Sequence, residues 1–76
     1  MTNNERLFIA LRLIQAFEAE GKTVTNLHMD ESGVYFNCLP YYFGYNFRIK
    51  EYSWVANTLV EHKPLPETIT NIITML

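Results

Sequence analysis

Residues 34–50, VYFNCLPYYFGYNFRIK, constrain this chain more than any other stretch. They hold four of its five tyrosines, three of its five phenylalanines and its only cysteine. Phe43, Tyr45, Phe47 and Ile49 alternate with Gly44, Asn46, Arg48 and Lys50. A period of two places alternate side chains on opposite faces, as in an antiparallel strand with one apolar and one wetter face. Val34, Phe36 and Cys38 alternate with Tyr35, Asn37 and Leu39 in the same way, so a second strand is expected over 34–39. Pro40 separates the two, because it cannot donate to a ladder. Tyr41 and Tyr42 are read as the turn into the third strand. The register across Pro40 stays open, and a slip by one residue would exchange the two faces.

The flanks read as cover for this sheet. Thr2 and Glu5 have the spacing of a capping box and Gly21 that of a left-handed stop, so a helix is expected over 2–20. Leu7, Leu11, Ile14 and Phe17, with Ala10, form its expected core stripe, and Phe8, Ile9 and Leu13 widen it. A helix so apolar is a central core helix or one shared with a second chain. Lys22 to Met29 reads as a strand, closed into a hairpin by Asp30-Glu31-Ser32-Gly33 with Gly33 at the left-handed position. Ser53 is a candidate N-cap for a helix to His62. The β-branched and aromatic residues of 52–60 leave a fourth strand as the competing reading. Pro66 and Glu67 suit the start of a last helix, with Ile69, Ile72, Ile73 and Leu76 at helical spacing. The expected fold is α+β: an N-terminal helix, a three-stranded antiparallel sheet and two short C-terminal helices, with all helices on one sheet face. The whole chain, 1–76, is read as one domain.

At 76 residues a chain approaches the lower limit for folding on its own core. With one cysteine no disulfide framework is available, and two histidines beside it make no ligand set by spacing, so neither metal nor cofactor is expected. Hydrophobic residues make up 49% of the sequence, more than so small a domain readily hides, which points to a partner or a homo-oligomer. The net charge of −2 argues against nucleic acid and anionic lipid as partners. The lone cysteine and the lack of a membrane-length apolar run lead to the expectation of a cytoplasmic protein.

Catalytic constellations do not emerge. Cys38 falls on the apolar face and reads as an inert core thiol. His28 and His62 read as surface residues, the latter near the negative end of its expected helix. Glu18 and Glu20 do not share a helix face, and Asp30 and Glu31 belong to a turn. Phe43-Gly44-Tyr45 resembles part of the strand on which RNA-recognition domains stack bases, but the resemblance fails in detail. Tyr41 and Tyr42 stand where a basic residue and glycine belong, and Asn46 and Arg48 replace an aliphatic and an aromatic residue.

What remains is the face turned away from the helices. Tyr35, Asn37, Tyr42, Asn46 and Arg48, joined by Trp54, combine stiff aromatic area with adaptable hydrogen-bonding groups, the mixture that recognition surfaces use. Asn26 and His28 extend it from the first strand. The expected function is protein binding: an inhibitor or adaptor, of the kind common among phage and mobile-element proteins, that occupies a surface of a host protein. The alternative is a binder of a nucleotide or other small aromatic ligand. Tyrosines would then hold the base, and Arg48 or Lys50 a phosphate, at a site between subunits.

Overall fold

The computed structural model describes residues 2–76 and runs α1 (Asn3–Ala19), β1 (Thr25–Met29), β2 (Gly33–Cys38), β3 (Tyr41–Asn46), β4 (Glu51–Ala56) and α2 (Glu67–Met75). The four strands form an antiparallel meander in the order β1-β2-β3-β4. Both helices pack on one sheet face, where Leu13 and Phe17 of α1 and Ile69 of α2 join Val34, Phe36, Cys38, Phe43 and Tyr45 in one core. The α+β class and the one-sided helices are as expected. The sheet has a fourth strand, and a single helix closes the chain.

Local chemistry explains each end of α1. Thr2 Oγ1 accepts from Glu5 N at 3.1 Å while Glu5 Oε1 accepts from Thr2 N at 3.3 Å, so the capping box is complete. Gly21 takes φ +81° at the other end, a conformation that costs glycine little. The core stripe, however, is Ile9, Ala10, Leu13 and Phe17, rotated from the expected one. Leu7, Phe8 and Leu11 face outward at 54%, 61% and 52% exposure. The helix is thus buried on one side only. Its apolar residues span most of its circumference, and the arc that goes inward is centred on Leu13 and Phe17, both fully buried. The Phe17 ring meets Phe36 edge-on at 5.5 Å, Phe43 at 4.9 Å and Trp54 in a stack at 5.6 Å.

Three corrections concern the strands. Gly33 is not left-handed but the first residue of β2. It must be glycine for space, since a Cβ there would lie 2.5 Å from the carbonyl oxygen of Tyr45. The turn is made instead by Asp30, whose Oδ1 accepts from Ser32 N at 2.8 Å and Gly33 N at 2.9 Å. Tyr41 and Tyr42 are strand residues, because Cys38 pairs directly with Tyr41 and only Leu39 and Pro40 form the connection. Strand β3 ends at Asn46, not at Ile49. Asn46 Oδ1 accepts from Arg48 N at 2.9 Å and Ile49 N at 3.2 Å and bends the chain into a turn over 47–50. Phe47 stays in the core, but Ile49 is exposed.

The expected helix over 53–62 is strand β4 followed by an irregular segment over 57–66. β-Branched and aromatic side chains outweigh the helical spacing once β3 offers a ladder, and all six residues of β4 pair with it. Ser53 is therefore a strand residue rather than a cap, and His62 lies in the irregular segment, edge-on to Tyr41. That segment is tied to the sheet: Tyr41 Oη donates to Glu61 O at 2.8 Å and accepts from Lys63 N at 3.1 Å. Trp54 Nε1 donates to Lys63 O at 2.9 Å, and its indole stacks on Tyr41 at 4.6 Å. Among the described residues, no helix is long and apolar enough to cross a membrane.

Candidate functional site: the helix-free face of the sheet

Pairing sets what this face presents. Tyr35 of β2 sits opposite Gly44 of β3, which sits opposite Ser53 of β4; the next row is Asn37, Tyr42, Val55. Alternation sends Phe36, Phe43 and Trp54 to the helices, and these two rows the other way. Gly44, without a side chain, leaves a gap in the middle of the first row, and the Tyr35 ring leans into it. Tyr35 and Tyr42 lie diagonally across the strands, 38% and 42% exposed. A groove of about 270 Å³ runs between them, lined also by Asn26, Asn37, Ser53 and Val55.

The rim towards β1 is polar. His28 stacks on Tyr35 at 6.2 Å and lies 3.6 Å from Asp30 Oδ2, both side chains largely in solvent. Hydrogen bonds from Ser32 and Gly33, with His28 adding a smaller attraction, hold the Asp30 carboxyl below the usual carboxylate range. The groove itself is lined by aromatic, amide, hydroxyl and aliphatic groups and carries no formal charge. The arrangement presents flat π surface flanked by hydrogen-bonding amides, and at its rim the Ser32 hydroxyl donates to Asp30 Oδ1 at 2.7 Å. Cys38, the one thiol, is buried on the other face, where loss of water pushes it up to about 11 and keeps it protonated.

Of the residues singled out in the sequence, Tyr35, Asn37 and Tyr42 come together here, with Asn26 lining the groove and His28 at its rim. Asn46 shares the face, but its side chain is engaged in the turn. Arg48 does not. The early end of β3 puts it in that turn, beside Arg6, Glu31, Ser32 and Phe47 at one end of the sheet. Trp54 is on the helix side, half-buried against Phe17 and Tyr41. Gly44, Ser53 and Val55 were missed. The signal for the last two was the alternation of Tyr52, Trp54 and Ala56 with Ser53 and Val55, legible only if 51–56 is read as a strand.

Compared with protein-family models, with curated proteins and with solved structures, the chain finds no match.

Proposed function

We infer that this protein is a small protein-binding module whose contact surface is the helix-free sheet face around Tyr35 and Tyr42, acting as an inhibitor or adaptor on its partner. The observation that carries the reading is the uncharged groove between two half-exposed tyrosines over the Gly44 backbone. Tyrosine supplies large contact area at small entropic cost, and Asn26, Asn37 and Ser53 beside it supply adaptable hydrogen bonds. The surface is carried by paired strands rather than by loops, so little ordering is needed on binding. An anionic ligand would find no cation in the groove lining, which favours a protein partner over a nucleotide.

The test compares the native chain with the Tyr35→Ala/Tyr42→Ala double variant as baits, with Leu7→Ser/Leu11→Ser as a control on the far side of the molecule. A protein held by the native and control baits and lost from the tyrosine variant supports the reading, once re-measured with purified partner. Equal capture by all three overturns it. A nucleotide that raises the melting temperature would replace it with the ligand-binding alternative. At about a hundredfold excess over its dissociation constant such a ligand adds about 2.7 kcal/mol.

A further inference from the structure

The two edges of the sheet are built differently. Strand β1 is irregular: its register with β2 shifts between Thr25 and His28, and Asn26 takes φ +54°. A bulged edge of this kind discourages pairing with another strand. Strand β4 has none of these defences. Its register with β3 is unbroken from Glu51 to Ala56, it contains neither proline nor glycine, and Glu51 is its single charge. The bond from Asn57 N to Pro40 O, 2.9 Å, continues this register and sets its parity. Val55, Ser53 and Glu51 therefore bond to β3, while Tyr52, Trp54 and Ala56 turn their backbone N–H and C=O groups outward. Among the described residues, no hydrogen bond outside the β3 ladder reaches those groups.

We propose that β4 pairs with β4 of a second copy of this chain, antiparallel about a two-fold axis at Trp54, joining two four-stranded sheets into one. The sequence of the strand is complementary to itself in that register. Tyr52 comes opposite Ala56 of the second copy, large against small, and Ser53 comes opposite Val55. Glu51 meets Asn57, so no like charges face each other. The outward-turned backbone groups are those an antiparallel partner needs, two bonds for each hydrogen-bonded pair. An isologous contact of this kind closes on itself and stops at two copies, because the bulged β1 edges remain at the ends. The pairing does not depend on the binding role of the Tyr35–Tyr42 groove. It would bring the Val55 walls of two such grooves together at the axis.

The experiment is light scattering and sedimentation equilibrium from micromolar to millimolar protein, with amide exchange at both ends of that range. The expected species is twice the 8.9 kDa chain mass at high concentration. Amides of Tyr52, Trp54 and Ala56 should exchange more slowly as it forms. Ser53→Lys/Val55→Lys sets lysines against each other across the axis and should weaken self-association about tenfold or more. Ser53→Glu/Val55→Lys sets opposite charges there and should restore it. A native chain that stays monomeric throughout overturns the proposal. So does a dimer unaffected by the two lysines, which would move the contact to Leu7, Phe8 and Leu11. If the lysine variant fails to fold, exchange in the native chain decides. A dimer whose Tyr52, Trp54 and Ala56 amides stay fast is paired elsewhere.

Discussion

The ring of Tyr35 occupies the space that a side chain on Gly44 would need: a Cβ at Gly44 would lie 2.8 Å from Tyr35 Cδ1 and 3.2 Å from Cε1. The floor of the groove and the pose of its principal aromatic are thus one feature. Gly44→Ala should swing Tyr35 off the sheet, at a cost of about 1 kcal/mol, because a half-exposed ring can move. Gly33→Ala should cost about 3 kcal/mol, since there the new methyl meets the Tyr45 carbonyl oxygen at 2.5 Å and backbone must shift. Urea denaturation ranks the two. The Tyr35 ring resonances in NMR spectra and partner capture should change in Gly44→Ala at nearly native stability. Equal destabilisation by both would mean that the Tyr35 ring is as fixed as the backbone.

The two sides of α1 should respond oppositely. Leu13→Ala removes a side chain with no exposure and should cost about 2–5 kcal/mol. Leu7→Ser and Leu11→Ser act on exposed positions and should stay within about 0.5 kcal/mol of the native chain. Thermal melts of the three single variants check this. A large loss from Leu7→Ser would restore the stripe that helical spacing first suggested.

That rotated stripe shows where sequence reasoning reached its limit. Leu7, Leu11, Ile14 and Phe17 and the set Ile9, Ala10, Leu13 and Phe17 both fit a helical period, and hydrophobicity cannot choose between overlapping arcs. The alternations in β2 and β3 were legible because a period of two admits only two faces, and the capping box because its chemistry is local. The end of β3 was not, since Asn46 bends the chain through its own side chain while Phe47 and Ile49 continue the alternation. Arg48 was lost from the site with it. Strand β4 was obscured because its pairing with β3 is a non-local gain that no window over 51–62 contains.

Tyr41 should control the irregular segment over 57–66. Its hydroxyl both donates to Glu61 O and accepts from Lys63 N, and the other ties are Trp54 Nε1 to Lys63 O and Asn57 N to Pro40 O at the segment's start. Tyr41→Phe keeps the stack on Trp54 and removes both bonds, for about 1–2 kcal/mol. Leu59 is 90% exposed within the segment. Cleavage after it by a chymotrypsin-like protease should quicken by about tenfold if the loss falls on local opening. Unchanged cleavage together with a lowered global stability would place the energy of these bonds in the core instead.

Cys38 should make the fold sensitive to alkali. Burial pushes its thiol up to about 11, whereas an unfolded chain titrates it near its ordinary value of about 9. Below about pH 8 the thiol is protonated in both states and contributes no pH dependence. Between about 9 and about 11 the unfolded chain gives up this proton and the folded chain keeps it, so stability falls as pH rises, by on the order of 2 kcal/mol in all. Burial raises the Tyr45 hydroxyl too, which adds to the decline at its upper end. Cys38→Ala lowers stability at every pH through lost packing, but it should flatten the slope over the lower part of this window and leave the Tyr45 contribution. Urea midpoints at about pH 7, 8 and 10.5 separate the two effects, because packing shifts all three points equally and titration chiefly the last. A slope identical in the native chain and Cys38→Ala would mean that water reaches the thiol, and the core around Val34, Phe36 and Tyr41 would then be looser than their burial implies.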